Sequence, residues 1–155
     1  MGSKYYFILQ NEVKNSLAFM PFERGWGNGY ILIPQTHPWY GKGYDDINAD
    51  VHGGLTLANK VTDPEYVEKE WIKARKVQYS DDMKRVIGEI GWSFFKNYWM
   101  IGFDTAHWGD SLTTCNINYV WEQTEVLYEQ YLDASRYRKL KKIEENIATG
   151  KRNKG

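Results

Sequence analysis

The chain contains three histidines, His37, His52 and His107, and all of them fall within residues 35–56 and 103–110, which make up 30 of the 155 residues. The same two segments hold Asp45, Asp46, Asp50, Asp104 and Asp110. Imidazole and carboxylate groups brought together at strand ends can bind a divalent metal, relay a proton, or hydrogen-bond the polar edges of a bound molecule. Tyr40, the pair Gly53-Gly54 and Thr56 lie among them. The reading therefore groups His37, Tyr40, Asp45, Asp46, His52, Gly53, Gly54, Thr56, Asp104, His107 and Asp110 as one ligand-binding pocket. Taken singly, each has a purely structural account: Asp45 and Asp46 cap a turn, His52 is a satisfied boundary histidine, and Asp104 caps a helix beginning at Asp104-Thr105-Ala106-His107. The spacings contain neither HExxH nor a two-histidine-plus-carboxylate pattern, and GxSxG is also absent. No cofactor is required by this reading, and a divalent metal is the one option the donor set leaves open.

Cys115 is the single cysteine, so no disulfide or cysteine-rich zinc spacing can be built within the chain. It follows Leu112-Thr113-Thr114 with no basic neighbour to stabilise a thiolate, and is read as a small buried residue rather than a nucleophile. A reducing, cytoplasmic compartment is expected. The formal charge is zero, but residues 136–155 carry a net charge of +6 and residues 1–135 a net charge of −6. An acidic body argues against duplex nucleic acid as the main partner. No apolar run approaches a membrane span, and the N-terminus lacks the pattern of a secretory signal. Of the aromatic residues, 7 Trp and 12 Tyr stand against 6 Phe. Such side chains suit surfaces that are apolar on one side and hydrogen-bonded on the other, including pockets that stack a flat ligand.

The elements that must position these groups fit a single domain over residues 1–150, with 151–155 as a frayed tail. Strands are expected near 4–9, 16–22, 29–34, 51–58 and 97–103. Arg24-Gly25-Trp26-Gly27-Asn28-Gly29 precedes a strand rather than a helix, so it reads as a tight turn and not a phosphate loop. Residues 35–50 form a long ordered loop, and Gly53-Gly54 marks a bulge in the fourth strand or a close backbone approach. Thr62-Asp63-Pro64 opens a helix that runs through Val77, and Ser80 opens a second, ended near Gly91. From about Asn118 the spacing is helical to Asn146 without Gly or Pro. The predicted class is α+β: a mostly antiparallel sheet of four to five strands, two short helices in 64–90 and a long C-terminal helix. That last helix would span about 43 Å at 1.5 Å per residue, longer than such a domain is wide. Its distal apolar stripe, through Leu140, Ile143 and Ile147, predicts a homo-oligomer, most simply a dimer.

Three stretches, GYILIPQTHPWYGKGYDD (29–46), DVHGGLTLA (50–58) and WMIGFDTAHWGD (99–110), resemble in order the motif series of a family of small, mostly uncharacterised phage and prophage proteins, about 40 residues in all. The resemblance implies phage origin and the cytoplasm of an infected bacterium. The family motif identifies no reaction. For a small phage protein with a polar aromatic pocket, the first expectation is sequestration of a small nucleotide-like ligand, an immune signal of the host, without turnover. A metal-dependent hydrolase of nucleotides or other phosphorylated small molecules is the alternative, and a protein-binding inhibitor a further one.

Overall fold

The computed structural model describes residues 4–11 and 24–149. Five strands, β1 (Tyr6–Gln10), β2 (Gly27–Ile33), β3 (Leu57–Lys60), β4 (Val77–Tyr79) and β5 (Trp99–Phe103), form one sheet in the order β3-β5-β2-β1-β4. Every pairing is antiparallel. Helix α1 (Pro64–Tyr66) runs on into a wide π turn over Val67–Ile72, α2 spans Asp81–Glu89, and α3 spans Ile117–Ala148. The fold is α+β, as the sequence predicts.

The central strands are apolar at consecutive positions because both faces of the sheet are covered. Tyr6, Ile8, Ile31, Ile33, Ile101 and Phe103 turn to one side and pack on Val120, Leu127 and Tyr128 of α3. Phe7, Leu9, Tyr30, Leu32 and Met100 turn to the other, against Ile72, Met83, Val86, Trp92 and Phe95 of the 61–96 segment. The period of two thus sorts one continuous apolar run into two cores. Gly29 lets α3 lie close: a methyl group there would collide with the Thr124 hydroxyl and the Phe103 ring. Asn116 starts α3 by accepting a 2.9 Å hydrogen bond from the Tyr119 backbone N–H. Among the described residues no helix is long and apolar enough to cross a membrane.

Three expectations are corrected. The strand expected at 51–58 starts only at Leu57, because Gly53 and Gly54 adopt φ of 67° and 80°, which no strand accommodates. The first helix stops at Ile72 rather than Val77, where Ala74 takes a left-handed φ of 69°; Val77–Tyr79 then pairs with β1 as an edge strand. Asp104 caps a turn rather than a helix, accepting from the Ala106 N–H at 3.0 Å. The strand expected at 16–22 lies outside the described residues.

Candidate metal centre

Two loops meet the first turns of α3 next to the β3–β5 edge. The first, 51–56, is turned sharply by the two left-handed glycines and carries His52 at its apex. The second, 104–115, follows β5. Gln123 of α3 accepts from the His52 backbone N–H at 2.9 Å, and the Tyr119 hydroxyl lies 2.8 Å from His52 Nδ1. His52 Nε2 is thereby aimed at Asp110 Oδ1, 2.9 Å away. The other Asp110 oxygen accepts from the His107 backbone N–H at 2.9 Å and lies 3.3 Å from His107 Nδ1. His107 Nδ1 also stands 3.5 Å from Asp104 Oδ1. The back of the His107 ring rests on Gly53, where a Cβ would sit 2.5 Å from Cε1.

Cys115, set aside in the sequence for want of a partner, belongs to this cluster. Its Sγ lies 3.8 Å from His52 Nε2 and 3.6 Å from Asp110 Oδ1. Cys115 and Asp110 are buried, at 2% and 7% exposure. Burial pushes the Cys115 thiol up, with the Asp110 charge adding to the rise against a hydrogen bond from Thr114. Burial acts on Asp110 in the same direction, but the His107 backbone N–H and the adjacent His52 outweigh it, and the carboxyl is held below its ordinary value. A thiol kept protonated is a poor nucleophile. The connectivity also differs from a nucleophilic triad, because Asp110 and Cys115 share one imidazole nitrogen instead of taking one each.

The arrangement suits a cation better. One atom each from His52, Asp110 and Cys115 can be drawn within 4.8 Å of the others. A tetrahedral ion bound at about 2.0–2.3 Å sets ligand edges at roughly 3.3–3.6 Å. The two sulfur edges are already near that, and the His52–Asp110 edge must open by only a few tenths of an ångström. Two of the three ligands have an outer partner, Tyr119 for the second nitrogen of His52 and the His107 N–H for the second oxygen of Asp110, the pattern that fixes orientation around bound metals. Among the described residues no fourth His, Cys, Asp or Glu joins the group, and a three-ligand set leaves a position for water or substrate. Thiolate, imidazole and carboxylate together favour zinc over magnesium or calcium.

The expected pocket divides in two. His52, Gly53, Gly54, Asp104, His107 and Asp110 gather at this centre, and Thr56 stands beside it on the sheet edge, its backbone N–H bonded to Gly102 O at 2.9 Å. His37 and Tyr40 are elsewhere. The His37 ring stacks on Tyr131 at 4.0 Å, with Nε2 2.7 Å from the Tyr131 carbonyl and Nδ1 accepting from the Trp39 N–H. Tyr131 is twelve residues beyond Tyr119 on α3, about 18 Å along its axis. Tyr40 donates its hydroxyl proton to Asn97 O at 2.6 Å. Asp45 and Asp46 sit exposed on a single 3₁₀ turn, Tyr44–Asp46. The sequence reading also omitted Gln130, whose side chain bonds both the N–H and the carbonyl of Asp50 at 2.7 Å. Gln123 and Gln130 lie seven residues apart on one helix face, and that spacing is the signal that could have found them.

No family model matches the chain, and comparison with curated proteins and with solved structures gives no match.

Proposed function

We propose that this protein is a metal-dependent hydrolase of small phosphorylated molecules, with His52, Asp110 and Cys115 holding a zinc-like divalent ion. The observation that carries this reading is the close approach of three unlike donors, His52 Nε2, Asp110 Oδ1 and Cys115 Sγ, at 2.9, 3.6 and 3.8 Å from one another, with Tyr119 and His107 orienting two of them. Bound there, the ion would supply Lewis acidity and lower the pKa of water towards neutrality. Tyr119 and Gln123 hold His52 in register. His107 is the residue for proton transfer: its side chain is 38% exposed, and Asp104 and Asp110 lie beside its Nδ1.

Sequestration without turnover, first in rank from the sequence, becomes the second reading at this centre. Tyr40, expected in the pocket, is committed elsewhere: it leans on Trp99 with its hydroxyl engaged. One experiment separates the two. The protein is loaded with Zn²⁺, Mn²⁺ or Mg²⁺, incubated with cyclic dinucleotides, cyclic ADP-ribose isomers and linear nucleotides, then denatured, and the supernatant is assayed. Metal-dependent product that disappears in His107→Ala supports hydrolysis. Intact ligand released in stoichiometric amount supports sequestration instead. A purified protein that neither takes up metal nor retains any ligand contradicts both, and leaves the cluster as a hydrogen-bonded clasp between two loops and α3.

A further inference from the structure

Beyond the metal centre, the loop 38–48 and the distal half of α3 enclose a solvent-open cleft of about 710 Å³, within the range of small-molecule sites. Lys42 stands on the loop side, and Arg138, Lys141 and Lys142 on the helix side, with Glu145 as the one carboxylate in the lining. Among the described residues no carboxylate is ion-paired with any of these four cations. Arg136, which lies outside the cleft, is by contrast paired with Asp133 at 3.4 Å. Four cations against one carboxylate leave an excess of positive charge that a bound anion would offset. Tyr137, 66% exposed at the rim, has the Lys141 ammonium 6.0 Å from its ring centroid.

The cleft is also pre-organised. Trp39 forms part of its floor and is fixed by His37, which is stacked on and hydrogen-bonded to Tyr131. Lys42 is held through its backbone, its N–H on Trp39 O at 3.1 Å and its carbonyl accepting from Trp99 Nε1 at 3.0 Å. At about 100° per residue, Ala134, Arg138, Lys141, Lys142 and Glu145 share one face of α3, while Leu140, Ile143 and Ile147 lie on the opposite one. The cationic face therefore stays available whatever covers the apolar stripe.

We propose that this cleft binds a phosphorylated small molecule carrying a flat ring, of the nucleotide class, with the phosphates between Lys42, Arg138 and Lys142 and the ring against Tyr137. The site is separate from the metal centre, and the proposal stands independently of hydrolysis there. The test is calorimetric titration of the full chain with ATP, inorganic pyrophosphate and adenosine, in EDTA at physiological salt. ATP should bind, pyrophosphate more weakly, and adenosine hardly at all. Arg138→Ala with Lys142→Ala should weaken ATP at least tenfold, whereas Tyr137→Ala should weaken ATP and leave pyrophosphate unchanged. Lys139→Ala, off the cleft face, and Cys115→Ser, at the metal centre, should each change affinity less than twofold. Absence of ATP binding at millimolar concentration overturns the proposal, as does binding that survives the double substitution in a folded variant. It is also overturned if single-stranded RNA binds with affinity rising with length while ATP does not bind.

Discussion

Gly53 and Gly54 provide a matched pair of perturbations for the metal centre, because they share a backbone conformation but not a neighbour. Both have φ in the left-handed region, 67° and 80°, so alanine at either costs about 1–2 kcal/mol of backbone strain, offset by about 0.4–1 kcal/mol from the stiffer unfolded chain. At Gly54 a Cβ meets nothing within 4 Å, and the cost ends there. At Gly53 it would sit 2.5, 2.9 and 3.0 Å from Cε1, Nδ1 and Nε2 of His107, against contact distances of about 3.5–4.0 Å between carbon atoms. The ring must shift by about 1 Å, and its 3.3 Å contact with Asp110 Oδ2 is lost if that shift lengthens it beyond about 3.5 Å. Overpacking of this kind adds about 1–3 kcal/mol. Each kcal/mol lowers Tm by about 2–4 °C in a chain of this size, so Gly53→Ala should melt several degrees below Gly54→Ala. Loss of the ring contact to Asp110, with the His107 backbone N–H still in place, should also weaken metal affinity, by up to about tenfold, with Gly54→Ala near the parent protein. Thermal melts with and without Zn²⁺ measure both quantities. Equal Tm and equal metal-induced stabilisation in the two variants would refute the placement of His107 and its role in supporting Asp110.

Leu127 is fully buried between α3 and the sheet, so Leu127→Ala should cost about 2–5 kcal/mol in urea denaturation, and a loss below 1 kcal/mol would contradict the described core. Burial, together with the Arg138 charge and against the Tyr131 carbonyl, lowers the pKa of His37 below its ordinary value. The unfolded chain then binds the extra proton first, so this stability is present above about pH 6.5 and is lost as pH falls below it. His37→Gln should flatten the change in stability between pH 7 and pH 5, and an unchanged slope would show that His37 does not titrate differently on folding. Leu140, Ile143 and Ile147 are 61%, 53% and 71% exposed, and a dimer through this stripe is proposed. Light scattering should give about twice the 18.2 kDa chain mass, lost on Leu140→Asp with Ile143→Asp, and a monomer in the parent protein would reject it.

The strands legible in the sequence were those whose residues are apolar on both faces: β1, β2 and β5 read as short continuous runs because each sits between two cores. β4 was not legible. Its three residues, Val77–Tyr79, are set by pairing with β1 almost seventy residues earlier, and nothing local distinguishes them from the end of a helix. The residues 51–56 carried their own signal in Gly53-Gly54, which marks a turn more strongly than a bulge once both φ values are positive. At the site, the clustering of His52, Asp104, His107 and Asp110 near strand ends was visible in composition alone. Cys115 was not, because its imidazole neighbour is 63 residues away in sequence. Tyr119, Gln123 and Gln130 were hidden for another reason: polar residues on a helix read as a solvated face, whereas here Gln123 and Gln130 hold loop backbone and Tyr119 holds the His52 ring. His37 has the residue type of the site but serves the packing of the 35–50 loop on α3.

Cobalt titration tests the central claim most directly, since a Co²⁺–thiolate bond adds an ultraviolet charge-transfer band and a tetrahedral site gives strong visible absorption. The account predicts saturation at one ion per chain, displacement by Zn²⁺, and loss of the thiolate band in Cys115→Ser while the folded structure remains. Folded parent protein that takes up neither ion at micromolar concentration, or a Cys115→Ser variant with an unchanged spectrum, would contradict a metal centre at His52, Asp110 and Cys115.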